Sequence, residues 1–329
     1  MGPDLVLAAL VLGFAASIGA HYTGACMGMP HALGVVSVRR ALWLMAPFAF
    51  LGAALASHAV EVRVGVGLTQ HRLTLTDEAL IIAVALALTT AYNRVRVPTS
   101  TIQLLVSSLV GVALGTGAGV HWSAIGSLVV LWILAPLVAC GLGYLLTRLL
   151  DWLQPKGARW SAHLGQRAWR TAAAALLLIG LAASFAMGAN DVANAAGALV
   201  GAHVLPATPA AVLGGLGLAA GIILWGGPLL GRVAFDIVRV DRAMAAAAQL
   251  VQAAVVLAAV GLGYFTSLNQ ALVGAMAGAG LARGRDAIQG GVLSGILRGW
   301  LFGPGSGLAL GLGASSLLSL WFGTHLLGR

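Results

Sequence analysis

Long stretches of this chain contain no charged side chain: Ala41–Ala56, Leu80–Thr90, Gly126–Thr147 and Thr171–Gly188 are the clearest. A helix needs roughly 20 apolar residues to cross hydrocarbon; some of these runs approach that length and others fall short of it. Charged residues make up 8% of the chain. Soluble globular proteins carry about 25%, so a water-facing surface of this size would go uncovered. A closed barrel would also satisfy its backbone in lipid, but it needs alternating apolar and polar residues, and that alternation is absent. The chain reads as an all-α polytopic membrane protein of about ten membrane-inserted segments, the shorter ones broken or re-entrant. Its 46 glycines fit, because small residues let helix backbones approach closely in lipid. The same glycine-rich faces suit a homodimer.

The net charge of +9 invites a nucleic-acid reading, which the placement of the charges excludes. Basic residues come singly or in pairs between apolar runs (Arg39 and Arg40, Arg94 and Arg96, Arg239 and Arg242, Arg283 and Arg285). That is the pattern of loops oriented by the positive-inside rule, with membrane lipid as the partner. No basic stripe interleaved with aromatics is present. The segment Arg148–Arg170 combines basic residues with Trp152, Trp160 and Trp169 and the Pro155–Gly157 turn signal. It is expected to be a cytoplasmic loop along the headgroups. Cys26 and Cys140, the only two cysteines, offer neither a metal spacing nor a disulfide framework. Residues 1–20 lack a positive n-region and read as a first membrane segment rather than a removable signal.

The chain also repeats itself. Gly19-Ala20-His21-Tyr22-Thr23-Gly24-Ala25-Cys26-Met27-Gly28 aligns with Gly188-Ala189-Asn190-Asp191-Val192-Ala193-Asn194-Ala195-Ala196-Gly197. Pro98–Gln103 aligns with Phe265–Gln270, and Trp132–Pro136 with Trp300–Pro304. Three matches in one order, at offsets within a residue or two of each other, mark an internal duplication. The expected organisation is a first transporter repeat over 1–150, a basic cytoplasmic linker over 151–170 and a second repeat over 171–329. Halves that each cross the membrane an odd number of times are inverted relative to one another, and inverted repeats place a substrate site near the midplane.

Asp191 is the acid that needs explaining. Asp4, Glu61, Asp77, Glu78, Asp151, Asp236, Asp241 and Asp286 lie near chain ends, near loops or beside an arginine. Asp191 instead follows an apolar run, with Asn190 before it and Asn194 after it. A carboxylate at membrane depth costs a few kcal/mol or more, so it should face a cavity, a cation or a proton pathway. The alternative is a cap at a break between half-helices, which would itself expose ion-binding backbone groups. Thr99, Ser100, Thr101 and Gln103, and Thr266, Ser267, Asn269 and Gln270, precede apolar helices and offer neutral donors at helix N-termini. This reads as ordinary N-capping or as anion binding, and the paired occurrence favours the second. A tetrahedral dianion needs many donors and little fixed positive charge if it is also to leave. His21 reads equally as a proton-sensitive group or as polar filler. No Ser-His-Asp set, P-loop or metal spacing appears, so the chain is not expected to be an enzyme or to hold a metal or cofactor.

Gly188-Ala189-Asn190-Asp191-Val192-Ala193-Asn194-Ala195 resembles the signature of the inorganic phosphate transporter (PiT) family, and the duplication extends the likeness over nearly the whole chain. The resemblance implies two inverted repeats with re-entrant helical hairpins, and secondary active symport of an oxyanion with a proton or sodium ion. It places Asn190 and Asp191 in cation coupling, with Asn194, Thr99, Ser100, Thr101, Gln103, Thr266, Ser267, Asn269 and Gln270 on the oxyanion. The first motif departs from the family pattern: His21, Tyr22 and Thr23 stand where Asn, Asp and Val stand in the second copy, and Ala25 replaces Asn. Gln103 and Gln270 replace the usual histidines. These departures resemble the sulfate permease branch. Sulfate, fully ionised, wants donors only, whereas phosphate at neutral pH still carries a proton to donate. The expectation is therefore sulfate ahead of phosphate, with an anion channel as the alternative class, in a multi-pass protein of the bacterial inner (plasma) membrane.

Overall fold

A backbone in hydrocarbon must satisfy its own hydrogen bonds, and in the computed structural model of this chain each long apolar run is a helix. The structure describes residues 2–153, apart from 59, 62–63, 65–66 and 96–98, together with 166–230, 241–284 and 290–327. The predicted linker therefore falls largely outside the described residues, as does Pro98; residues 151–152 end one helix and 166–170 begin the next.

The helices are α1 (Pro3–His21), α2 (Thr23–Ala32), α3 (Val38–Ala56), α4 (Leu75–Val95), α5 (Thr101–Thr116) and α6 (Trp122–Trp152). They are followed by α7 (Gln166–Gly201), α8 (Ala207–Trp225), the short α9 (Gly227–Leu230), α10 (Arg242–Gly261), α11 (Leu268–Arg283) and α12 (Gly290–Leu327). Among the described residues, eight helical spans, with α1 and α2 counted as one, are long and apolar enough to cross a membrane. The helices α5 and α11, of 16 residues each, are too short. The order in the first part of the chain recurs in the second: a long helix bearing the Gly-Ala motif, a span, another span, a short capped helix and a long helix with a proline inside it.

Packing crosses between the two parts. The helix α1 lies against α8 while α3 lies against α7, and α5 packs along α12 while α11 packs along α6. Glycine makes the first two crossings close. A Cβ on Gly19 would fall on the carbonyl of Leu218, and one on Gly188 on the carbonyl of Ala49. Backbone-to-backbone contact of this kind drives helix association in lipid. It also brings the two copies of the motif, just beyond Gly19 and Gly188, into the centre of the molecule.

Three features differ from the sequence reading. Asn190–Asn194 do not cap a break: α7 runs unbroken through them, because Ala and Val around them are competent helix formers and the polar side chains find partners off the helix. The interruption lies in the first copy, at Tyr22, where φ −94° and ψ 5° separate α1 from α2. Arg283 does more than orient a loop. Its guanidinium binds Asp151 through two nitrogens and Asp241 through Nε (2.7 Å), tying the ends of α6 and α11 to the start of α10.

Finally, Glu61 and Glu78 are not loop acids but buried ones, at 0% and 4% exposure. Glu61, beyond the end of α3, accepts a hydrogen bond from Ser57 Oγ on Oε1 (2.7 Å), while Oε2 has no partner. Burial raises its carboxyl to about 7, the Ser57 bond offsetting this in part. The folded protein therefore holds the Glu61 proton more tightly than the unfolded chain does. Stability should fall as pH rises from about 4.5 to about 7, by up to roughly 3 kcal/mol. Glu61→Gln should remove that slope. Thermal midpoints of the two proteins in detergent are expected to coincide near pH 4.5 and to separate by pH 8, with the variant higher; parallel profiles would contradict the burial of a titrating carboxyl.

Candidate functional site

The site is built on the starts of α5 and α11, where residues before each helix leave the chain extended and then turn it into a first turn. Ser100 (φ −100°, ψ 108°) accepts the Gln103 N–H on its Oγ, and Ser267 (φ −87°, ψ 115°) accepts the Gln270 N–H in the same way. Each serine is thus a true N-cap, yet its own O–H remains able to donate. The hydroxyls of Thr99 and Thr266, one residue earlier, are buried without a hydrogen-bond partner. Four hydroxyls and two first-turn backbones, each at the positive end of a helix dipole, occupy corresponding positions in the two parts of the chain. Thr99, Ser100, Thr101, Gln103, Thr266, Ser267, Asn269 and Gln270 are all buried.

Asp191, on α7, reaches the first of these helix starts. Its Oδ1 accepts from Asn194 Nδ2 (3.2 Å) and, more distantly, from Thr101 Oγ (3.5 Å); its Oδ2 accepts from Asn190 Nδ2 (3.1 Å). Asn194 Nδ2 also lies 3.3 Å from Thr101 Oγ, while Asn194 Oδ1 is buried without a partner. Asn190 clamps the second helix start: its Nδ2 donates to the Thr266 carbonyl (2.8 Å) and its Oδ1 accepts the Thr266 N–H (3.0 Å). One amide side chain thus pairs with both backbone groups of a residue that has no helix of its own to bond.

The first motif meets the first helix start with different chemistry. His21, aligned with Asn190, places Nε2 3.1 Å from the carbonyl of Thr99, the counterpart of Thr266. Tyr22, aligned with Asp191, places its hydroxyl 2.9 Å from Thr101 Oγ. The two motifs therefore converge on Thr101, one bringing a carboxylate and the other a phenol. Thr23 is not part of this cluster. Its hydroxyl donates to the carbonyls of Ala20 and Gly226 (3.0 and 2.8 Å), stapling α2 to the end of α8.

Among the described residues, the side chains of Gln103 and Gln270 make no hydrogen bond to the Asp191 cluster and face elsewhere in part. They line a cavity of about 480 Å³ together with Trp132 and Trp300, the aligned tryptophans of α6 and α12. Two supports went unread in the sequence. Asn93 on α4 binds His21 Nδ1, and Gln252 on α10 lies 3.4 Å from the Leu268 carbonyl at the start of α11. The signal in the sequence is weak: Asn93 stands among polar neighbours beside Arg94, and Gln252 shares its apolar run with Gln249, and no motif flags either.

The sequence profile of the phosphate transporter family matches residues 18–310 of this chain. Among characterised relatives, the sulfate permease CysP of Bacillus subtilis is 29% identical over 302 residues, covering 89% of this chain and 82% of that one. The chloroplastic inorganic phosphate transporter 2-1 of Arabidopsis thaliana is 33% identical over 131 residues, 36% of this chain and 22% of that one. A solved structure described as the sodium-dependent phosphate transporter superposes with a TM-score of 0.87 over 97% of this chain and 100% of that one, at 21% identity. The last of these is a likeness of fold.

Proposed function

This chain belongs to the phosphate transporter family, and from the donors of its buried site we propose that it is a secondary active transporter that carries sulfate with a proton or a sodium ion. The observation that carries the choice of anion is the engagement of Asp191. Both of its oxygens already accept from protein donors, and the second acid of a doubled motif is replaced by Tyr22, whose hydroxyl is able to donate. The groups left open are the hydroxyls of Thr99 and Thr266, the serine O–H groups and first-turn N–H groups. Those donors suit an anion that only accepts, and the acceptor left open beside Asp191, Asn194 Oδ1, is taken for the coupling cation rather than for a phosphate O–H. The likeness to a sulfate permease over most of the chain supports the same choice.

Asp191, with the unpartnered Asn194 Oδ1 beside it and Asn190 behind it, supplies the oxygens for the coupling cation. Thr99, Ser100 and Thr101 from one helix start, and Thr266 and Ser267 from the other, surround the oxyanion. The crossed packing of corresponding helices supports two inverted repeats rocking about this centre. The reading places the protein in the plasma (inner) membrane with its central basic segment cytoplasmic. Uptake of labelled sulfate into vesicles, driven in turn by a pH gradient and a sodium gradient, tests it. Thiosulfate and molybdate are expected to compete about tenfold better than phosphate and arsenate, the discrimination that one mismatched polar contact gives. The reverse order would make phosphate the substrate; equal flux without any cation gradient would make the protein an anion channel.

A further inference from the structure

The residues around His21 form a triangle in which each protonation state of the ring satisfies one contact of Nε2 at the expense of the other, because Nε2 lies 3.1 Å from the acceptor of Thr99 and 3.1 Å from the donor of Asn269. Asn93 Nδ2 donates to the Ser17 carbonyl (2.9 Å) and hydroxyl (3.1 Å), which turns its Oδ1 towards His21 Nδ1. Nδ1 therefore carries a hydrogen. On the other side of the ring, Nε2 lies 3.1 Å from the Thr99 carbonyl and 3.1 Å from Asn269 Nδ2, and Asn269 Nδ2 donates to that same carbonyl at 2.8 Å. With Nε2 bare, the amide of Asn269 donates one hydrogen to each of two acceptors. Through this amide the start of α11 is bonded to the residue that leads into α5.

We propose that His21 is a proton-coupling residue that joins the two helix starts through Asn269 while Nε2 is bare and releases them when Nε2 takes a proton. This rests on the transport reading above. The proton, drawn from water, adds to the Nε2 lone pair; the new N–H donates to the Thr99 carbonyl, and two donors then face each other where Asn269 had an acceptor. The two donors stand too close, at 3.1 Å, to share the Thr99 carbonyl at good angles, so the neutral Asn269 gives way to the charged ring and the bond between the two halves of the site goes with it. Thr99 links the switch to the cargo, because its carbonyl meets His21 while its hydroxyl is buried and unpartnered. An arriving dianion favours the charged ring across that one residue.

The surroundings fit a group that exchanges protons. Asn93, the far neighbour of the ring, lines a cavity of about 550 Å³ together with Ser17, Thr90 and Arg94. Of the elements against His21, α4 contributes Arg94 on that cavity wall, and α7 contributes Asp191, which lies beyond Tyr22 and Thr101. The Tyr22 ring stands edge-on at 5.0 Å, and α8 carries no ionisable side chain.

Titration of the purified protein with sulfate in buffers of different ionisation enthalpy reads the protons taken up per anion bound. Above neutral pH the wild type should take up about one proton that His21→Gln does not. Asn269→Ala removes the donor that favours bare Nε2, so the midpoint of proton uptake should move to higher pH. An unchanged proton count in His21→Gln, or, if that variant does not fold, an unmoved midpoint in Asn269→Ala, overturns the inference and leaves the transport reading intact. A wild type that binds neither sulfate nor phosphate overturns both.

Discussion

Asp191→Asn is expected to lower coupled oxyanion uptake by about 100-fold or more while the protein still reaches the membrane at the wild-type level. Removing the charge from a carboxylate that accepts hydrogen bonds from Thr101, Asn190 and Asn194 costs about 1.5–3 kcal/mol for each bond lost. Geometry explains why the isostere is not tolerated. Three donors point at the two oxygens of Asp191, from Thr101, Asn194 and Asn190, and an asparagine has one oxygen to offer them. Asn190 is held on Thr266 and has no freedom to turn, so one orientation of the new amide sets two N–H2 groups against each other and the other deprives Asn194. The charge that would attract a cation is lost as well. Asp191→Glu should fare little better, because the residue is fully buried and an added methylene has no space to enter. Initial rates under separate pH and sodium gradients decide the matter: wild-type rates in Asp191→Asn would remove this residue from coupling.

Much of this site was legible in the sequence because the motif and hairpin residues come in pairs. Thr99 with Thr266 and Ser100 with Ser267 stand out only when two segments are laid side by side, and all four are brought to one buried place. What the sequence obscured is geometric. The row of Gly, Ala and Asn around Asp191 looks like a breaker, yet α7 passes through it, since side-chain polarity breaks a helix only when it competes for that helix's own backbone. Asn190 competes instead for the backbone of Thr266, on another element. Glu61 and Glu78 look like loop acids from their neighbours in the chain, but burial depends on neighbours in space. For the same reason Asp151 and Asp241 share Arg283, which is distant from both in sequence. Asn93 carried no motif at all and yet decides which nitrogen of His21 bears the hydrogen. The replaced first motif read as a loss of ligands. It is better described as a different pair of groups, His21 and Tyr22, meeting the first helix start at Thr99 and Thr101 as Asn190 meets the second at Thr266.

Asn190→Ala is expected to weaken oxyanion binding by about 100-fold, although the side chain need not touch the anion. Among the described residues its amide pairs with both backbone groups of Thr266, and a buried backbone group left unpaired costs about 1–3 kcal/mol. Two such groups, together with a donor lost from Asp191, exceed the stabilisation that one N-cap at Ser267 supplies, about 1 kcal/mol. The start of α11 should then lose its fixed position and the Thr266 hydroxyl its aim. Substitutions at this position separate that account from a direct contact with the anion. Asn190→His can offer a ring N–H to the Thr266 carbonyl but no acceptor for the Thr266 N–H at the same time, so it should fall between wild type and alanine. Asn190→Asp keeps the acceptor, loses both donated bonds and sets a second carboxylate beside Asp191, so it should fall below alanine. A residue that bound the anion directly would instead be rescued by any donor at that position. Equilibrium binding of labelled sulfate to the purified proteins gives the order, and an Asn190→Ala affinity within twofold of wild type would show that Thr266 is held in place by something other than this amide.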